Sequence, residues 1–333
     1  MKPGWGPAAV LVGAAAWGST GTAAHFAPPG ATASSIGAAR IAVGGLGLLI
    51  VAVSTSANRR ATVRLLTRAG VPSAGGGSGQ PPGPAGGRMA GLQAGSWRTV
   101  LVLAAAAVAG YQVCFFTAVR ATGVAIGTVV AIGSAPGWAG LLTLLTGGPR
   151  PGGRWALATV AAVAGCVVLV TGGQASGVSA AGVALALAAG LCYAVYAVAA
   201  GRMITAGSAE SAVMGLIFGG AAVLLAPVLA VSDTSWLLSL RGLAIVGYLG
   251  VVTTVVAYLL YGRGLRTVPV PTATTLGLAE PAVAALLGLI VLHEKLSGAA
   301  IAGLALIGLA LASMAAGPAA SRGEGVGQPA PPG

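Results

Sequence analysis

TVPVPTATTLGLAEPAVAALLGLIVLHEK, residues 267–295, holds one carboxylate, Glu280, deep inside an apolar run. A helix rises 1.5 Å per residue, so about 20 residues cross the roughly 30 Å of hydrocarbon in a bilayer. The run is long enough to do so. It lacks the period-two alternation of a barrel strand and is about twice the length that a tilted strand needs, so it predicts a membrane helix near residues 268–292. Working outward, similar runs predict spans near residues 7–27, 33–54, 99–119, 122–146, 154–172, 178–200, 211–231, 241–262 and 297–316.

The composition requires lipid. Of 333 residues, 56% are apolar and 7% charged, against about 25% charged residues in soluble domains. There is no polar coat to cover a water-soluble core. The formal charge of +12 is spread through short polar breaks between spans, which is a topological pattern and not a nucleic-acid footprint. Lys2 followed by an apolar run resembles a signal peptide, but the repetition of such runs downstream makes it a first span that stays.

Counting basic residues orients the chain. With both termini cytoplasmic, only Arg120, Arg241 and Lys295 fall outside, Arg40 lies within a span, and every other Lys or Arg faces the cytoplasm. The expected location is the cell (plasma or inner) membrane, with an even number of spans. Residues 70–95 and the tail at 317–333, rich in Gly, Pro and Ser, predict flexible cytoplasmic segments.

Shifting the sequence by 145 residues sets Thr122 on Thr267, Pro136 on Pro281, Leu141, Leu142 and Leu144 on Leu286, Leu287 and Leu289, and Arg150 on Lys295. Five spans per copy is an odd number, so the second copy enters the membrane inverted. The expected fold is all-α and integral to the membrane: ten helices as two inverted five-helix repeats, at residues 5–172 with a flexible loop at about 55–98, and at 178–316. In that build the substrate site lies near the midplane between the halves.

Glu280 costs roughly 2.5 to 3.5 kcal/mol at bilayer depth on the lenient insertion scale, a cost that needs a reason. Either it faces a cavity, taking a proton or a substrate amine, or a neighbouring hydroxyl or Arg40 satisfies it within the packing. Arg40 has three open roles: snorkelling to the outer interface, binding an anionic substrate group, or pairing with Glu280. Pro136 and Pro281 sit mid-span and predict helix breaks, either near a site or as packing features. Tyr111, Tyr193 and Tyr258 fall inside spans, where their hydroxyls need partners; with Trp17 they either pack and anchor or line a cavity suited to amines. Ser19 back-bonds to its own helix or faces a polar path. Gly123 with Gly127, Gly133 with Gly137, and Gly215 with Gly219 allow close helix approach, between the repeats or in a homodimer.

Trp17-Gly18-Ser19, Arg40, the Pro136 helix and above all Glu280-Pro281 followed by His293-Glu294 resemble the EamA family of the drug/metabolite transporter superfamily. The resemblance covers about residues 5–316. It implies a ten-helix inverted-repeat carrier that exports amino acids or other small metabolites. In that family the fourth span usually ends in Gly-Glu; here the stretch is Gly147-Gly148-Pro149-Arg150, and only Glu294 keeps the acid.

The function expected is therefore secondary transport of a small-molecule substrate through the lipid bilayer, with Glu280, Arg40, Trp17, Ser19, Tyr111, Tyr193 and Tyr258 on the pathway. Proton-coupled efflux of cationic drugs is the near alternative. No GxxxxGK[ST] motif is present to bind ATP directly. An intramembrane enzyme would need a second catalytic partner at depth, which a lone carboxylate and two helix-end histidines, His25 and His293, do not supply; a non-transporting scaffold is the other class. No cofactor, metal or nucleic acid is expected. Cys114, Cys166 and Cys192 lack ligand or CxxC spacing and predict free thiols.

Overall fold

A computed structural model describes residues 5–67, 97–171, 179–293 and 297–315. The expected loop at 70–95, Glu294, Lys295 and the tail lie outside the described residues. Within them the chain is helical: α1 (Trp5–His25), α2 (Ala33–Val53), α3 (Ser56–Thr67), α4 (Trp97–Thr122), α5 (Val124–Leu145), α6 (Gly153–Thr171), α7 (Ala180–Thr205), α8 (Glu210–Val231), α9 (Leu240–Gly250), α10 (Ala257–Gly264), α11 (Val270–Leu276), α12 (Ala279–Val291) and α13 (Gly298–Ala315).

Eight spans among the described residues are long and apolar enough to cross a membrane: α2, α4, α5, α7, α8, the continuous stretch from α9 to α10, the pair α11 and α12, and α13. The protein is an integral membrane protein. Two expected spans fall short of that measure, α1 through its many Gly, Ser and Thr residues and α6 through the length of its apolar part. Both nonetheless lie within the bundle, α1 against α10 and α12, and α6 against α13.

Glycine brings these helices into contact. A Cβ on Gly45 of α2 would stand 2.5 Å from the Phe218 carbonyl oxygen, and one on Gly215 of α8 would stand 2.8 Å from that of Leu48. Gly215 and Gly219 thus hold α8 on α2 within one chain. Gly165 and Gly303 do the same for α6 and α13, each Cβ colliding with the other helix's backbone.

Two departures from regular spans matter for the site. The ninth span is two half-helices: α11 stops at Leu276 and α12 restarts at Ala279. The ring of Pro281 opposes the carbonyl four residues earlier, at Gly277, and its missing N–H falls in the first turn of α12, where no helical partner is needed. Pro136, its match in the first half, sits instead inside an unbroken α5. The break expected at Pro136 is therefore corrected: α5 runs from Val124 to Leu145 across it, whereas at Pro281 the helix has restarted only two residues earlier. In the eighth span, residues Val251–Val256 widen into a π-turn, and the hydroxyls of Thr253 and Thr254 both donate to the Leu249 carbonyl (2.7 and 3.0 Å).

The flexible segment expected from residue 55 is corrected at its start. Ser56–Thr67 is the helix α3, because Thr62 and Leu65 form a buried stripe on α2 and α8, with the Thr62 hydroxyl donating to the Ala52 carbonyl at 2.8 Å. At the opposite end of the bundle, Arg241 at the start of α9 donates to the Phe26 carbonyl just beyond α1 (2.6 Å).

Candidate functional site

A cavity of about 530 Å³ opens at the end of the bundle where α1 joins α2 and reaches the level of Trp17 and Glu280. Its walls come from α1, α2, α4, α5, α7, α8, α10 and α12.

Glu280 arrives in the first turn of α12, a consequence of the break at Gly277 and Leu278. Its N–H donates to the Gly277 carbonyl at 3.0 Å, and the dipole at the start of α12 favours a carboxylate there. Gly18 sets the approach of α1: a Cβ there would stand 2.6 Å from the Glu280 carbonyl oxygen and 2.7 Å from Val283 Cβ. The short residue between Trp17 and Ser19 lets α1 touch the half-helix that carries the carboxylate.

Arg40 enters from the second turn of α2 and lines the same cavity. Among the described residues, the ion pairs within 4.0 Å are those of Glu210 with Arg263 and Arg266, so Arg40 and Glu280 share a hollow without closing on each other. A cation and a carboxylate of low solvent access then stand ready for opposite charges on a guest.

Below them the aromatic side chains close together. Trp17 lies 4.9 Å from Tyr258 and 5.4 Å from Tyr261 between ring centres, Phe218 lies 4.0 Å from Tyr258, and Tyr193 stacks on Tyr196 at 5.3 Å. Trp17 Nε1, Thr20 Oγ1 and Arg40 Nε are buried there without a protein hydrogen-bond partner. Tyr111 stacks on Phe115 at 5.4 Å along another wall.

Of the residues singled out in the sequence, Glu280, Arg40, Trp17, Tyr111, Tyr193, Tyr258 and Pro281 line this one cavity. Ser19 does not; its hydroxyl bonds the Ala16 carbonyl and the Tyr248 hydroxyl, each at 2.7 Å. Pro136 also lies away from the lining. The sequence reading passed over Gln112, Phe115, Phe116 and Phe218, all of which line it beside Tyr196. Gln112 carried a usable signal, an amide inside an apolar span; it donates to the Gly37 carbonyl at 3.3 Å and ties α4 to α2. No group of three or more His, Cys, Asp or Glu is placed to hold a metal among the described residues.

Membrane-length helices around a half-enclosed hollow with unpaired charges describe a multi-pass membrane transporter. The profile of the EamA-like transporter family matches residues 180–315. An uncharacterized transporter of Bacillus subtilis strain 168, YwfM, is 38% identical over 289 residues, covering 86% of each chain. The chain belongs to the EamA family, within the drug/metabolite transporter superfamily. The fold recurs in a protein crystal structure at 18% identity, with a TM-score of 0.71 over 94% of this chain and 98% of the other.

Proposed function

We propose that this transporter exports amino acids or related small metabolites across the bacterial cell membrane by alternating access. The observation that carries the reading is the sharing of one cavity by Arg40 and Glu280 without an ion pair between them. A zwitterion complements that arrangement, its carboxylate on the guanidinium fork and its ammonium on Glu280. The aromatic rings below offer faces to an amine and apolar area to a side chain.

A ten-helix inverted repeat underlies this reading, and the helix pairing supports it. Matching α1, α2, α4, α5 and α6 with α7, α8, the α9 to α10 span, the α11 to α12 span and α13, each main contact has its counterpart. The α4–α7 contact answers α1–α10, α5–α7 answers α1–α12, α4–α8 answers α2–α9, and α2–α8 and α6–α13 are their own partners. The cavity then lies between the halves. The basic residues favour both termini in the cytoplasm.

Efflux of cationic drugs coupled to protons is the second reading, favoured by the aromatic residues beside a single carboxylate. The two readings differ in their use of Arg40. Purified protein in vesicles, with uptake of amino acids and of organic cations measured with and without a pH gradient, separates them. Amino-acid flux should fall in both Arg40→Gln and Glu280→Gln; cation flux that survives Arg40→Gln and fails in Glu280→Gln supports the second reading. Gradient-driven flux that loses its response in Glu280→Gln marks proton coupling through that group. No flux for any compound tested in wild type counts against both.

A further inference from the structure

A second cavity, of about 1070 Å³, lies at the other end of the bundle, where α5 and α7 stop and α11 begins. Both helices end in a left-handed glycine, Gly147 at φ 76° and Gly207 at φ 90°, which turns the chain away and leaves the hollow open. Its apolar lining includes Val198, Val268 and Val270, together with the indoles of Trp97 and Trp155. Arg150, Arg202 and Arg266 also line it, and no acidic side chain does among the described residues.

The charges around this hollow are largely uncompensated. Arg266 bonds Glu210, which lies outside the lining, whereas Arg150 and Arg202 have no carboxylate partner among the described residues. Compensation of a helix dipole accounts for Arg202, in the last turn of α7. It does not account for Arg150, beyond the glycine turn that ends α5, or for arginines gathered on a hollow without an acid. Trp97, 1% exposed, and Trp155 each carry an indole N–H with no protein acceptor. An oxygen brought to either would satisfy a donor that the protein leaves unpaired.

We propose that this cavity binds an amphiphilic anion, its carboxylate or phosphate held by Arg150 and Arg202 and its apolar body against the valines and indoles. Such an anion reaches the site either as an acidic lipid of the bilayer or as a free solute. The proposal does not depend on what the first cavity carries.

The test uses tryptophan emission from full-length protein in phosphatidylcholine vesicles, with bromine as the quencher. One arm adds 4-bromobenzoate, with 4-bromobenzamide as its neutral control. The other replaces part of the lipid with brominated phosphatidylglycerol, with brominated phosphatidylcholine as control. Saturable quenching by an anion, diminished in Trp97→Phe with Trp155→Phe and weakened about tenfold in Arg150→Gln with Arg202→Gln, is the expected result. Response to the lipid alone names the bilayer as the source; response to the benzoate alone names a solute. Equal quenching by the neutral controls, indifference to the arginine substitutions in protein that keeps its elution profile and melting point, or no quenching by either anion overturns the proposal.

Discussion

Glu280 and Arg40 stand apart because two local features fix them separately, the helix restart before Pro281 and the second turn of α2. Their difference in chemistry predicts a difference in tolerance. A guanidinium offers a rigid fork of donors to a carboxylate, whereas an ammonium is a compact point charge. Arg40→Lys should therefore keep transport of an amino acid but raise its KM about tenfold with kcat little changed, the signature of lost ground-state binding. Saturation kinetics in vesicles check this; an unchanged KM would remove Arg40 from the substrate site. At this scale much was legible. A carboxylate at bilayer depth costs enough to draw notice, and an arginine inside a span does too. Tyr196 and Phe218 were not legible, because an aromatic ring in an apolar span looks the same whether it packs or lines a hollow.

At the scale of elements, the sequence predicted where spans lie better than how they bend. Mean hydropathy cannot tell a continuous helix from α11 and α12, and Pro136 and Pro281 match in register yet act differently. Pro136 sits deep inside α5, whereas Pro281 sits in the first turn of α12, where no helical N–H is needed. The π-turn at Val251–Val256 left no mark that a hydrophobic run reveals, and α3 was hidden in a basic segment whose buried stripe is only Thr62 and Leu65. Two glycines give contrasting predictions here. Gly18→Val places side-chain atoms against the Glu280 carbonyl and Val283, so α12 must move and substrate affinity should fall. Gly303→Val strikes the Leu169 amide and the Gly165 carbonyl, none of which lines the cavity. Each should destabilise by about 1 to 3 kcal/mol through overpacking. Only Gly18→Val should raise KM in protein that remains folded, as read by thermal melting beside uptake kinetics. A raised KM in Gly303→Val as well would mean that strain spreads through the whole bundle.

Across the whole molecule, the charges sort by end. Arg263 and Arg266 meet Glu210 where α10 ends and α8 begins, and Arg154 at the start of α6 donates to the Ser313 carbonyl near the end of α13. Arg241 is at the other end, on Phe26. Lipid-facing apolar residues such as Leu157 and Leu309, each at least 70% exposed, occupy the surface between the ends, where a soluble protein would carry charge. This sorting makes the inverted architecture testable through two equivalent loops, α1 to α2 in the first half and α7 to α8 in the second. In a chain whose Cys114, Cys166 and Cys192 are replaced by Ser, Pro29→Cys should react with a membrane-impermeant maleimide on intact cells. Ser208→Cys should react only after the membrane is opened. Both reacting from the same side would contradict an inverted repeat, because a five-span copy must place equivalent loops on opposite faces. The reverse pair of outcomes would keep the repeat but turn the molecule over, putting the Arg40 cavity mouth on the cytoplasmic side and its arginine-lined counterpart outside.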